Sequence, residues 1–278
     1  MAGDVEENRR LLSALELPEC EGPKLKAFPH RNSPITWIEW INQTNDESLS
    51  GGQGYVFKVE IKSRIYALKV FKFFKPSLYR HALGPIPRRA VTDVELGFHT
   101  DPFYAECRAY AQIEARRKSQ GLKRKDIADC YGFLALTKAD EEVLAEYGVD
   151  LWCDIPLDDG YRKRAEGSPV RALVKEYIEE DLEIDEKTIK HMATAIKWMN
   201  RNKILINDVY LRNFKGGYLL DFGSSWTKPH CLWQSTSRQR MIAVLTVDIV
   251  RFEEMMDEMG LGTRRSLRSR PQLSETEE

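Results

Sequence analysis

Hydrophobic and polar positions alternate with period two in several short segments of the first 180 residues. Successive side chains of a strand point to opposite faces of a sheet, so this spacing predicts β-strands. Two of the segments flank the polar turn 62–64, which predicts a β-hairpin. The predicted strands are 35–41 (ITWIEWI), 55–61, 65–70, 127–136 and 170–178, with short ones at 204–206 and 218–220.

Helical spacing begins at Asp101, which can cap a helix, and Pro102, which suits the first helical position. This helix is predicted to end near Lys118. A second helix is predicted to begin after the capping residue Asp185, and a third is predicted over about 238–259. The second helix carries an apolar stripe, with side chains three or four residues apart, at Ile189, Met192, Ala193, Ile196 and Met199.

The order of these elements predicts an α+β fold with a β-rich lobe followed by a helical one. We expect an N-terminal extension that is partly ordered (1–34), a β-rich lobe (35–178) with an irregular insertion at 75–100 and a charged one at 137–169, a helical lobe (179–260) and a disordered tail (261–278).

Composition narrows the class of protein. The chain has 278 residues, and its 42 basic and 43 acidic side chains give a net charge of −1, which excludes a globally basic nucleic-acid binder. A nucleic acid is therefore not an expected partner. The five cysteines form no Cys-x-x-Cys pair, and no apolar run is long enough to span a bilayer. We expect an intracellular protein, cytoplasmic or nuclear, without a membrane partner.

A glycine turn and a lysine provide the first candidate site. Gly51 and Gly54 lie between two predicted strands, and glycine lets a backbone approach a phosphate closely. Lys69 shares a strand face with Ile65 and Ala67, where its ammonium could bind phosphate. The plainer alternatives are a hairpin glycine turn and a solvent-facing lysine.

Glu106 falls inside an apolar helical stripe formed by Phe103, Tyr110 and Ile113. A buried carboxylate is costly unless it is paired, and Lys69 is the expected partner. The alternative is a glutamate at the edge of the stripe that reaches water.

Two polar motifs each follow a short predicted strand: Asp208-x4-Asn213, and Asp221-Phe222-Gly223. Carboxylate and amide oxygens suit Mg²⁺ with a triphosphate. The alternative is that they are simple turn residues, because Asp and Asn are also common in turns.

The order of these motifs matches the protein-kinase signature, so residues 50–225 resemble the protein-kinase-like superfamily. The runs ALKVFKFF, DPFYAECRAY, VKEYI and LLDFGSSWTKPH are similar to a fungal kinase-like family named after an Fta subunit of a kinetochore Sim complex. This resemblance implies a bilobal protein-kinase-like fold with a β-rich N-lobe and a reduced, mainly helical C-lobe.

The resemblance also implies a site for ATP and Mg²⁺. Lys69 would hold the α- and β-phosphates and pair with Glu106, while Asp208 would accept the proton of the substrate hydroxyl. The remaining implied roles are the phosphate loop at Gly51 and Gly54, the adenine pocket at Val56 and Ala67, the hinge at Glu176 and Ile178, and the Mg²⁺ ligands Asn213 and Asp221.

Several positions depart from the kinase pattern. Leu49 replaces a loop glycine, and Tyr210 replaces the lysine expected two residues after the catalytic aspartate. Lys175 stands where kinases have a hydrophobic residue. One feature agrees with the resemblance, which implies that Asp248 on the last predicted helix anchors the loop that carries Asp208.

Two function classes stay open. One is a kinase that transfers the γ-phosphate to a protein or small-molecule hydroxyl. The other is a catalytically weak or inactive pseudokinase that binds a protein partner, for example in a kinetochore or centromere complex.

Overall fold

A computed structural model describes residues 11, 16–19, 21–41, 52–83, 90–122, 126–152, 155–179, 184–234 and 238–261. Its main sheet has five antiparallel strands in the order β1-β2-β3-β5-β4. The strands are β1 Thr36–Trp40, β2 Gly54–Ile61, β3 Arg64–Phe71, β4 Cys130–Ala135 and β5 Arg171–Glu176. All five were predicted from the sequence.

The register of the sheet decides which side chains share a face. Val56 lies opposite Lys69, Lys69 lies opposite Leu173, and Ala67 lies opposite Lys175. Because paired residues point to the same side, both lysines project from one face of the sheet. The opposite face packs into a buried apolar cluster that includes Phe57, Val59, Leu68, Val70, Ala172 and Val174.

Two helices, α1 (Asp93–Thr100) and α2 (Pro102–Gln120), connect β3 to β4 along the chain. The Asp101 carboxylate accepts a hydrogen bond from the Phe103 N–H at 2.9 Å, so the predicted start of α2 is confirmed. The helix ends at Gly121, whose φ of +62° is left-handed.

The prediction that 75–100 is irregular was wrong. It contains a 3₁₀ helix, Pro76–Ala82, as well as α1. Thr92 caps α1 by accepting from the Glu95 N–H at 3.1 Å, a local signal that the prolines nearby had obscured. Segment 137–169 likewise holds two helices, α3 (Lys138–Glu146) and α4 (Gly160–Ala165).

The second half of the fold is mainly helical. Asp185 caps α5 (Glu186–Arg201) by accepting from the Thr188 N–H at 2.7 Å, as predicted. The last helix, α7 (Arg238–Glu258), packs against α5, and both contribute to a core that also includes α2 and β4. The elements after β5 are α5 Glu186–Arg201, β6 Ile204–Leu205, a 3₁₀ turn Leu211–Asn213, β7 Phe214–Lys215, β8 Tyr218–Leu219, β9 Trp226–Thr227, α6 Cys231–Gln234 and α7 Arg238–Glu258.

Part of the N-terminal extension adds to the edge of β4. The Phe28 N–H donates to the Phe133 carbonyl at 2.7 Å, and Phe28 and Leu25 are buried. A Cβ on Gly132 would lie 2.5 Å from the Lys26 carbonyl, so glycine is required at this close approach. The predicted tail lies outside the described residues except for Leu261.

The helices of the described residues include none that is long and apolar enough to cross a bilayer.

Candidate active site

Three charged groups from separate segments meet beneath the sheet. The Lys69 Nζ atom lies 2.7 Å from Glu106 Oε2 and 2.6 Å from Asp221 Oδ2. Lys69 is supplied by β3, Glu106 by α2, and Asp221 by the segment after β8. Glu106 is fully buried, so the ion pair expected from its position in the apolar stripe is formed.

The ion pairs set the charge states of this cluster. Burial alone lowers the pKa of the Lys69 ammonium, but the carboxylates of Asp221 and Glu106 outweigh it and the pKa is raised. Burial raises the pKa of Asp221, but attraction to Lys69 and Lys175 outweighs that effect and lowers the pKa to about 2. Both groups are therefore charged at neutral pH.

Lys175 occupies the same cluster from the neighbouring strand. Its Nζ atom lies 2.6 Å from Glu106 Oε1 and 2.5 Å from the Leu220 carbonyl oxygen. The two oxygens of the Glu106 carboxylate therefore each contact one lysine. The sequence marked Lys175 only as a departure from the kinase pattern; its role depends on the register of β3 against β5.

Helix α2 is tied to the chain around Asp221 at several further points. The Tyr110 hydroxyl donates to the Leu220 carbonyl at 3.1 Å. The buried Arg108 side chain donates to the Thr227 carbonyl at 2.7 Å and also to the Pro229 carbonyl. These bonds fix the position of α2, which carries Glu106, relative to the residue before Asp221.

Asp208 and Asn213 form a second polar group. The Asn213 side-chain amide donates to the Asp208 carboxylate at 3.0 Å and to its backbone carbonyl at 2.7 Å. The Leu220 N–H donates to the Asn213 carbonyl at 2.9 Å, which joins this group to the residue before Asp221. The two motifs predicted to act together are thus adjacent.

The loop carrying Asp208 is anchored from below by Asp248. The fully buried Asp248 carboxylate accepts from the Ile206 and Asn207 N–H groups, each at 2.8 Å. Arg251 donates to the Asn207 carbonyl at 2.8 Å. The predicted anchoring role of Asp248 is confirmed.

Tyr210 and Arg212 lie on the outer side of this loop. Tyr210 is 45% exposed, and the Arg212 guanidinium lies 4.3 Å from its ring centroid. Arg212 also contacts the Asp208 carboxylate at 3.2 Å. The sequence reasoning missed Arg212, although its place directly before Asn213 was a usable signal.

The glycine loop is described only in part, since Gly51 lies outside the described residues. Gly54 opens β2, and a Cβ there would lie 2.4 Å from the Val70 carbonyl, so sheet packing alone requires glycine. The Gln53 amide, which the sequence reasoning also missed, donates to the Ser224 hydroxyl at 2.6 Å. The loop therefore reaches down to the residues after Asp221.

The predicted adenine-side residues lie on the sheet face that carries Lys69 and at the end of β5, bordering the cleft, which is the region between this face and residues 208–223. Val56 and Ala67 share the sheet face that carries Lys69. The Glu176 carboxylate accepts from the N–H of Asp129, the residue directly before β4, at 3.1 Å. Ile178 follows β5 and is half-buried.

The donor set fits the Mg²⁺ ion that the resemblance implies. Mg²⁺ prefers oxygen ligands, and the Asn213 amide nitrogen faces Asp208, which leaves its oxygen as the donor for a metal. One Asp221 oxygen accepts from the Gly223 N–H at 2.8 Å, and the other pairs with Lys69.

A second polar cluster lies away from this cleft. His99, His230 and Cys231 bring their ligand atoms within 4.8 Å of one another. Both His230 ring nitrogens are already used, by the His99 carbonyl and by the Leu232 N–H. Arg108 donates to His99 at 2.6 Å, and burial together with this charge lowers the pKa of His99 to about 3.

Comparison with known proteins adds family information. No curated protein matches this chain. A structure of vaccinia related kinase 3 is 12% identical, with a TM-score of 0.38, over 80% of this chain and 56% of that one. A Neurospora crassa PAN3 pseudokinase mutant is 10% identical, with a TM-score of 0.37, over 95% of this chain and 56% of that one. The chain thus spans little more than half the length of either.

The family model described as kinetochore Sim4 complex subunit FTA2 matches residues 13–226, well over half of the chain. This match confirms the family resemblance drawn from the sequence runs. The order of the elements, with a lysine on β3 paired to a glutamate on α2, is that of a kinase-like N-lobe. The chain belongs to the kinetochore Sim4 complex subunit FTA2 family and has an α+β, bilobal kinase-like fold.

Proposed function

We propose that this chain is a kinase-like subunit of a kinetochore-type protein assembly, and that its cleft binds ATP with Mg²⁺. The observation that carries the nucleotide proposal is the position of Lys69, whose ammonium contacts Glu106 and Asp221 at once. In kinases a lysine on the third strand binds the α- and β-phosphates while it is paired with a helix glutamate, and the aspartate of the Asp-Phe-Gly motif holds Mg²⁺.

The roles follow from the geometry of the cleft. Lys69 would hold the phosphates, and Asn213 with Asp221 would hold Mg²⁺. When bound, the metal neutralises charge on the phosphate oxygens. Val56 and Ala67, on the face of Lys69, would cover the adenine.

Phosphoryl transfer is expected to be slow. In this proposal Asp208 would accept a hydroxyl proton, but Tyr210 supplies no charge where a kinase has lysine. Removal of one preorganised donor from an active site lowers the rate by about 10²–10³. Arg212 lies beside Asp208, and its guanidinium contacts the Asp208 carboxylate at 3.2 Å.

Calorimetric titration of the protein with ATP, with and without Mg²⁺, tests the proposal. Lys69→Met should weaken binding about tenfold or more, because a direct phosphate contact is lost. The variant should still fold, since Lys175 continues to pair with Glu106. Asp221→Asn should abolish whatever affinity Mg²⁺ adds.

Lys197→Met, at an exposed position of α5, is the matched control and should bind as the wild type does. Failure of the wild-type protein to bind ATP in either condition would show that the nucleotide proposal is wrong. An undiminished effect of Mg²⁺ in Asp221→Asn would remove the metal role alone.

A second function, protein scaffolding, is favoured by the contact between Gln53 and Ser224. This bond ties Gln53 to the segment directly after Asp221, where it would hinder the approach of a nucleotide's phosphates. Membership of a kinetochore subunit family supports two further parts of this proposal, namely protein partners and a nuclear location. Affinity purification of the tagged full chain, wild type and Lys69→Met, should recover the same kinetochore proteins if scaffolding is independent of nucleotide.

A further inference from the structure

The cleft contains one more buried cation than the kinase pattern supplies. The contacting side chains beneath the sheet are two lysines and two carboxylates: Lys69, Lys175, Glu106 and Asp221. Both lysines and Glu106 are less than a tenth exposed. The cluster is therefore electrically balanced without any bound ion.

The register of the sheet explains how both lysines reach one carboxylate. Lys69 lies opposite Leu173 on β5, and Lys175 lies two residues further along that strand. Residues two apart in a strand share a face, so Lys69 and Lys175 are diagonal neighbours above α2. Glu106 presents one oxygen to each of them, at 2.7 and 2.6 Å.

Lys175 reduces the negative charge that Lys69 has to neutralise. With a single lysine, one ammonium would face two carboxylates, and a divalent cation would be needed to offset the excess negative charge before a polyphosphate could bind. Here Lys175 covers one Glu106 oxygen and bonds the carbonyl directly before Asp221 at 2.5 Å.

We infer that Lys175 is a built-in counter-cation that lets this cleft bind the polyphosphate of a nucleotide with a reduced requirement for Mg²⁺. The inference rests on the proposed nucleotide function and adds its metal dependence. Lys175 is a positioning and charge-balancing residue, not a catalytic one, since it contacts Glu106 and Leu220 rather than the reacting groups.

The test compares ATP binding in Mg²⁺ with ATP binding in excess EDTA, by calorimetry, for the wild type and two variants. Lys175→Met removes the charge and both hydrogen bonds, whereas Lys175→Gln removes the charge and keeps a donor. Both should fold, because Lys69 still pairs with Glu106 and the Tyr110 hydroxyl still donates to Leu220. Lys197→Gln removes a surface charge as the control.

We expect the wild type to bind ATP in EDTA within about tenfold of its affinity in Mg²⁺. Both Lys175 variants should lose about tenfold or more of their affinity in EDTA, and less than about threefold in Mg²⁺, because the metal then supplies the missing charge.

Three results would overturn the inference. In the first, the ratio of the ATP affinity in Mg²⁺ to that in EDTA is the same in both variants and the wild type. In the second, Lys175→Gln behaves as the wild type does, which would assign the effect to hydrogen bonding. In either case the nucleotide proposal would stand. A wild type that binds ATP in neither condition would overturn both.

Discussion

The two sides of the cleft differ in how their charged groups are held. On the sheet side, Lys69, Lys175 and Glu106 are 3%, 6% and 0% exposed, and each contacts an opposite charge. On the loop side, Tyr210 is 45% exposed and the Arg212 side chain is 57% exposed. The sheet side is thus part of the core, while the loop side is a surface fixed from below by Asp248.

This difference separates two properties that kinases combine. Groups that would bind the phosphates cannot be altered without a cost in stability, because each is buried and paired. Tyr210 and Arg212, beside the Asp208 that would accept the proton, lie at the surface, where substitutions change the free energy of unfolding by about 0.5 kcal/mol or less. These two residues can therefore be changed with little effect on the groups that would bind the phosphates.

The largest expected effect comes from the sheet side. Glu106→Gln leaves the buried Lys175 without a carboxylate, and loss of one partner of a buried ion pair typically costs about 3–5 kcal/mol. Denaturant unfolding should show that loss. The exposed Glu254→Gln in α7 is the control and should stay within about 0.5 kcal/mol of the wild type. A similarly small change in Glu106→Gln would mean that the cluster does not stabilise the fold.

A smaller effect is expected on the pH dependence of the free energy of unfolding. It comes from Asp221, which lies between the sheet side and the loop side. The pKa of Asp221 is lowered to about 2 from an ordinary 3.8, so its contribution is fully present above about pH 4 and is lost as the pH falls towards 2. The shift corresponds to about 2 kcal/mol.

Unfolding of the wild type and Asp221→Asn across this range measures the contribution. The wild type should be the more stable variant above pH 4, and the difference should shrink below it. A difference that stays constant down to pH 2 would contradict the pairing of Lys69 with Asp221.

The smallest expected effect on free energy is on the loop side. Tyr210→Lys restores a cation beside Asp208 and should raise any ATP turnover by about tenfold, which is 1.4 kcal/mol in activation free energy. Its thermal stability should be unchanged. Turnover assays with protein and small-molecule acceptors measure the effect, with Tyr79→Lys at another exposed tyrosine as the control. If the variant binds ATP normally and transfers nothing, the scaffold function is favoured.

Much of the candidate site could be predicted because its residues follow local rules. Glu106 stood out as a charge within an apolar helical stripe, and its pairing with Lys69 followed from the cost of burying it alone. Asp208, Asn213 and Asp221 each follow a short strand, and the structure brings them together through the bond between Leu220 and Asn213.

Other contacts could not be predicted because they join segments far apart in the chain. Gln53 and Ser224 are 171 residues apart, and no periodicity relates them. The proximity of His99, His230 and Cys231 likewise appears only when α1 packs beside the segment after β9.

The sequence by itself determined the five strands of the main sheet, the capped helices α2 and α5 and the residues that need a partner, because alternation, capping and the cost of burial act over a few residues. The tertiary structure alone decided that Lys175 joins the cluster. That contact depends on the pairing of β3 with β5, and a shift of one residue in this register would turn Lys175 to the opposite face. The charge balance of the cleft is therefore a property of the sheet register, not of any local motif.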